Sequence, residues 1–170
     1  MGAGSDDEYT EYVSARIPAL RRLAYLLTGD AHRADDLVQQ TITTLYVKWQ
    51  RARAAGNLDA YVRKMLVRTY VDEKRLAWAR VGLFREAPEP PPVTEAGAED
   101  RHLVRAALTR LPRRQQAVLV LRFFYDLPVD EVAAMLGCTS GTVKTHTSRG
   151  LATLRRLLGD SGAAAFQFAN

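Results

Sequence analysis

Thr142, Thr145, Ser148 and Arg149 stand at spacings that put them on one side of a helix, with the small residues Gly141 and Ala152 on the same side. At 100° per residue these six face away from Val143, and Leu151, Leu154 and Leu158 return to the side of Val143. Small, polar and basic side chains on an open face can approach base edges and phosphates. The chemistry open to this stripe is hydrogen bonding in the major groove of duplex DNA. The residues just ahead supply a frame for it. Asp130 is placed to cap a first helix, and Val132, Ala133 and Leu136 form its buried stripe. Gly137 closes that helix where left-handed backbone is needed, and Ser140 is placed to cap the second. Val129 to Leu158 therefore reads as a helix-turn-helix, although the same pattern fits a plain helical hairpin.

A second candidate surface lies upstream. Residues 51–85 hold nine Lys/Arg against three acids (Asp59, Asp72, Glu73), a net of +6 in a chain whose total is +5. Lys64, Arg68 and Arg75 fall within about 40° of one another on a helix, with Tyr61, Tyr70 and Trp78 interleaved. Cations track phosphates and aromatic faces stack on exposed bases, so the mixture suits single-stranded DNA. Aromatics packed in a core beneath a solvated basic face would give the same pattern, and at least one of Tyr61 and Tyr70 is expected inside.

The elements that must position these residues are all helical; no alternating strand pattern of useful length occurs. Tyr9 to Thr28 reads as a helix that Pro18 should kink or break and Gly29 ends. Asp30 to Arg51 reads as a stronger one, with Val38, Ile42, Leu45 and Trp49 at helical spacing. Gly56 and Asn57 make a turn into a third helix, Leu58 to Arg80, with Asp59 near its start. Arg101 to Arg110 and Pro112 to Tyr125 precede the helix-turn-helix, with Pro112 suited to a first turn. Residues 86–99, EAPEPPPVTEAGAE, carry four prolines and four glutamates and read as a flexible acidic linker. The prediction is an all-α chain of two small helical domains, 8–81 and 100–159, joined by a linker at 82–99 and ending in a flexible tail, 160–170.

Composition narrows the class. The chain has 170 residues, 47% hydrophobic and 25% charged, enough for two cores in a soluble protein. Its +5 charge favours an acidic partner. No apolar run reaches the ~18 residues of a membrane span, and the acidic start MGAGSDDEY is no signal peptide, so a cytoplasmic protein without membrane contact is expected. Cys138, the only cysteine, can form no internal disulfide and reads as packing in the turn. His32, His102 and His146 show no ligand spacing, so no metal or cofactor is expected. Nothing resembles a catalytic constellation.

Three segments together resemble the extracytoplasmic-function (ECF) sigma factors of bacterial RNA polymerase, within the sigma-70 family. DAHRADDLVQQTITTLYVKW (Asp30 to Trp49) is similar to the core-binding stretch of sigma region 2. NLDAYVRKMLVRTYVDEKRL (Asn57 to Leu76) is similar to the helix that melts and reads the −10 element. Leu111 to Leu157 is similar to region 4, which reads the −35 element, and its TVKTHTSR run looks most like an actinobacterial subgroup. The helix-turn-helix alone would also suit a response-regulator output domain. That alternative needs an α/β receiver, for which no strands are seen.

The resemblance implies a non-catalytic specificity subunit that binds polymerase core, directs initiation at promoters and melts DNA. Its partners would be the clamp of the largest subunit, the flap of the second largest, and promoter DNA, with room for an anti-sigma factor. Asp35, Asp36, Gln39 and Gln40 align with the core-binding surface; the two aspartates would also favour a helix N-terminal half through its dipole. Asn57, Tyr61, Lys64, Arg68, Lys74 and Arg75 become the −10 candidates, beside a loop, about Arg51 to Asp59, where the family flips a base out of the stack. Thr142, Lys144, Thr145, His146, Ser148 and Arg149 become the −35 candidates. Two residues depart from the commoner pattern. His146 stands where arginine is common, replacing a permanent charge by a titratable one. Thr147 stands where leucine is common, and is expected to pack by its methyl while its hydroxyl bonds back to a carbonyl. The acidic linker would thread the RNA exit path.

Overall fold

The computed structural model describes residues 3–73 and 98–168; for 3, 98, 99 and 160–168 it describes backbone only. Lys74, Arg75, Trp78 and most of the acidic linker lie outside the described residues. Every described element is helical, and the chain divides into two compact units, Met1–Tyr70 and Val71–Asn170.

In the first unit α1 (Ala3–Thr28) packs along α2 (Ala31–Val47), and α3 (Trp49–Arg53) and α4 (Leu58–Asp72) follow. Leu20, Leu23, Ala24 and Leu27 of α1 are buried, as are Ala34, Leu37, Val38 and Leu45 of α2. The turn between them is defined by local chemistry. Gly29 takes φ 69°, and Asp30 caps α2 by accepting the Arg33 amide at 2.8 Å.

Two corrections arise here: of the kink or break expected at Pro18 the break does not occur, and the second helix ends earlier than expected. Pro18 does not break α1, which runs through it from Ala3; Val13 and Leu20, on either side, are both buried and hold the helix against the core. Conversely, the helix expected over Asp30 to Arg51 is interrupted at Lys48 (φ −102°, ψ 12°). The run before it, Thr41 to Val47, is rich in β-branched residues of low helix propensity. Thr41, Thr43 and Thr44 also donate back to the carbonyls of Leu37, Gln39 and Gln40, a contact that bends helices. Beyond the interruption Trp49 is buried, with Tyr9 edge-on at 5.4 Å.

The second unit contains α5 (Ala98–Leu108), α6 (Arg113–Leu119) continued by a π-helical turn (Val120–Phe124), α7 (Val129–Leu136) and α8 (Ser140–Phe168). Pro112 is the residue before α6 rather than its first turn. α8 packs against α5, α6 and α7, so one helix anchors the whole unit. Leu108, Leu119, Leu121, Val132, Val143 and Leu154 are fully buried around it. Gly159 (φ 71°, ψ 177°) breaks α8, and the backbone is helical again to Phe168. A flexible tail was expected there. The run Ala163 to Ala165 has the composition of a helix, since alanine is the best helix former.

Candidate nucleic-acid interface

The turn between α7 and α8 is built from residues of both helices. Gly137 adopts φ 64°, ψ 43° and closes α7 as expected. The caps differ from expectation. Thr139, not Ser140, caps α8: its Oγ1 accepts the Thr142 amide at 3.1 Å. Ser140 instead donates to Asp130 Oδ1 at 2.5 Å, so Asp130 does not cap α7 but ties its first turn to the start of α8. α7 begins after Pro128, whose fixed φ suits a helix start. The two corrections are positional: Asp130 already lies inside the first turn of α7, past the cap position held by Pro128, and Ser140 is the first residue of α8, so the cap position falls to Thr139.

α8 is set close to α6 by Gly150. A Cβ there would lie 2.9 Å from Leu119 Cδ1 and 3.3 Å from Leu111 Cδ2. With Val143 and Leu154 turned inward, Gly141, Lys144, Thr145, Ser148, Arg149 and Ala152 form an exposed face. Thr142 is half-buried; its hydroxyl lies 2.9 Å from that of Thr139. Three threonines return their protons to the backbone: Thr145 donates to Gly141 O at 3.0 Å, Thr147 to Val143 O at 2.9 Å and Thr153 to Arg149 O at 3.1 Å. His146 is half-buried with Nδ1 shielded and unpartnered among the described residues. Desolvation, then the nearby charges of Arg114 and Arg149, lower its pKa from the ordinary 6.5. The shift favours the neutral imidazole, which carries less positive charge at this edge of the face than the arginine common there would.

Comparison with known proteins agrees with this geometry. A model described as sigma-70 region 4 matches residues 101–154, which spans α5 to α8, and one described as the sigma2 domain of PhyR matches residues 13–58. The RNA polymerase sigma-E factor of Streptomyces coelicolor is 34% identical over 157 residues, covering 89% of this chain and 86% of that protein. The ECF sigma factor EcfG of Rhodopseudomonas palustris is 30% identical over 164 residues, covering 94% and 90%. The chain belongs to the ECF sigma factors. Its likeness to Streptomyces members fits the actinobacterial cast of the TVKTHTSR run. Such a factor directs transcription initiation by RNA polymerase. A solved relative is the sigma factor RpoE of Bartonella quintana in complex with the anti-sigma factor NepR, with TM-score 0.73 and 26% identity over 90% of this chain and 98% of that one.

The region 2 unit of this sigma factor gives the remaining candidates distinct surroundings. Asp36, Gln39 and Gln40 are exposed on α2, whereas Asp35 is held by Arg21 of α1, with Nε at 2.7 Å and Nη2 at 3.0 Å. Asn57 plays a structural part, because its Oδ1 accepts the Ala60 amide at 2.9 Å and so caps α4. Asp59 pins the same helix start to α1, accepting from Tyr12 Oη at 2.9 Å and pairing with Arg16 at 2.7 Å. Burial, then this carboxylate, drives the Tyr12 pKa far above its usual range. On α4 the two open readings of the aromatics divide. Tyr70 is core at 3% exposure, while Tyr61 and Lys64 are half-buried and Arg68 is exposed. A cleft of about 530 Å³ opens beside the helix start, lined by Tyr12, Arg16, Trp49, Arg53 and Leu58 among others. Three cations near α8 were missed by sequence reasoning: Arg114, Arg122 and Arg155. They lie outside the helix face opposite Val143, and only packing brings the first two to its flanks.

Proposed function

We propose that this sigma factor reads the −35 element with the exposed face of α8 and the −10 strand with α4, and docks on polymerase core through α2. The observation that carries the reading is the α8 face. Lys144, Thr145, Ser148 and Arg149 are exposed while Val143, Gly150 and Leu154 fix the opposite side. Thr142 and His146 border that face and shape it rather than bind phosphate. On α4, Tyr61, Lys64 and Arg68 supply the stacking and phosphate contacts, joined by Lys74 and Arg75 outside the described residues. Asn57 contributes by holding the helix start. Asp36, Gln39 and Gln40 meet the basic clamp of the largest subunit; Asp35 joins them only by leaving Arg21. In domain terms, 8–81 acts as region 2 and 100–159 as region 4, with residues 82–99 as an acidic strand in the RNA exit path. Region 4 meets the flap of the second largest subunit. The protein does no chemistry of its own and works in the cytoplasm. The complex of the Bartonella relative supports an anti-sigma partner here too.

The test is reconstitution. Added to sigma-free core, the protein should yield new transcript 5′ ends on genomic DNA. Lys144→Ala and Arg149→Ala should weaken −35-dependent initiation and leave core binding intact, and Asp36→Ala should weaken core binding more than Asp35→Ala. No core binding by the unmodified protein, or loss of core binding in either α8 variant, would overturn the assignment.

A further inference from the structure

We propose that a cleft on the flank of α8 seats a backbone phosphate of the −35 duplex, with Arg155 as a contact residue that no motif position includes. The cleft, about 360 Å³, is lined by Arg122, Lys144, Ser148 and Arg155, with Val129 and Leu151 as apolar walls. Its lining carries three cations and no carboxylate. Among the described residues none of the three cations makes an ion pair. Like charges converging without a counter-ion repel one another, so the arrangement favours an anion that the described residues do not supply.

The cleft is also prepared for one. Arg122 lies in the π-helical turn, and its Nη1 donates to the Leu127 carbonyl at 2.6 Å. That bond fixes the guanidinium before any ligand arrives, so little side-chain freedom is lost on binding. Lys144, Ser148 and Arg155 recur along one side of α8, next to the face opposite Val143. The partner is DNA rather than an acidic peptide because Lys144 and Ser148 belong to both surfaces: a duplex engaged by Thr145 and Arg149 brings its backbone to this flank. Phosphate contacts of this kind set the register in which base edges are read. The inference rests on the −35 reading of α8.

The experiment uses holoenzyme and a promoter identified by transcript mapping, made as a series in which single −35 phosphates are replaced by neutral methylphosphonates. Wild-type holoenzyme should lose affinity by about fivefold at one linkage, the size of a single exposed charge-assisted contact. Arg155→Ala should be weakened by a similar factor on unmodified DNA, should be insensitive to that one linkage, and should keep its preference for the promoter over a scrambled −35. Arg155→Lys should restore most of the sensitivity. If Arg155→Ala keeps the full wild-type pattern while Lys144→Ala alters it, the seat is refuted and the −35 reading stands. A flat series for wild type, with binding that ignores the −35 sequence, would refute both. An unchanged series together with weakened binding of an acidic protein partner would assign the cleft to protein and refute the phosphate seat.

Discussion

Gly150→Ala tests how α8 is held. On an open helix the change should stabilise by about 1 kcal/mol, because glycine is the poorer helix former. Here the new methyl would sit 2.9 Å and 3.2 Å from Leu119 Cδ1 and Cγ and 3.3 Å from Leu111 Cδ2. Leu119 is fully buried and Leu111 is 5% exposed, so neither can swing into solvent. Overpacking of this kind costs about 1–3 kcal/mol, which leaves a net loss of roughly 1 kcal/mol after the helix gain. For a unit of this size that is a fall in Tm of about 4–8 °C. Gly141→Ala is the internal control, since its nearest neighbour is Thr139 Oγ1 at 3.8 Å and the space is open. Paired thermal melts followed by circular dichroism should move in opposite directions. A rise in Tm for Gly150→Ala matching that of Gly141→Ala would show that α8 does not approach α6 as closely as these distances require.

Two further substitutions probe other parts of the interface. Asn57→Ala should cost about 1 kcal/mol through the lost cap, while Asn57→Asp, an equally good cap, should restore stability; a denaturant titration in which Ala is neutral would remove the capping role. His146 carries a pH signature: with its folded pKa below the 6.5 of the unfolded chain, the unfolded state binds more protons as pH falls through 6.5, so stability should drop with acidification there. His146→Gln should flatten that part of the ΔG-against-pH curve, just below the 6.5 of the free side chain, and an unchanged slope would mean the histidine is not desolvated.

The helical class and the helix-turn-helix were legible because they rest on periodicity and on Gly137, whose left-handed backbone is a local requirement. The open face of α8 was legible for the same reason, since Val143 and Leu154 define its opposite. What escaped the sequence were choices between nearby partners. Asp130, Thr139 and Ser140 all have capping chemistry, and only geometry decides that Ser140 pairs with Asp130 while Thr139 takes the amide. Asn57 has the character of a turn residue beside DNA, and its cap bond to Ala60 is equally consistent with its type. The helix passes Pro18 unbroken because tertiary packing outweighs local propensity there, and the second helix stops at Lys48 because threonine back-bonding accumulates before it. Arg114 and Arg122 belong to α6 and the π-helical turn, so no reading of α8 alone finds them. Arg155 lies on α8 beyond the span that the motif marks as DNA-facing.

Under the proposed −35 reading, the bond from Thr145 to the Gly141 carbonyl limits what that side chain can say to a base. Its only proton is committed to the helix, so toward the groove it offers oxygen lone pairs and a methyl group. The exocyclic amino groups of adenine and cytosine can donate to such a group, and the thymine methyl can pack on it, whereas the O6 and N7 acceptors of guanine find no donor there. On that reading, a residue type usually credited with indifference between bases becomes a one-directional filter, and a preference against a guanine edge directly facing it would follow from a backbone contact inside the protein.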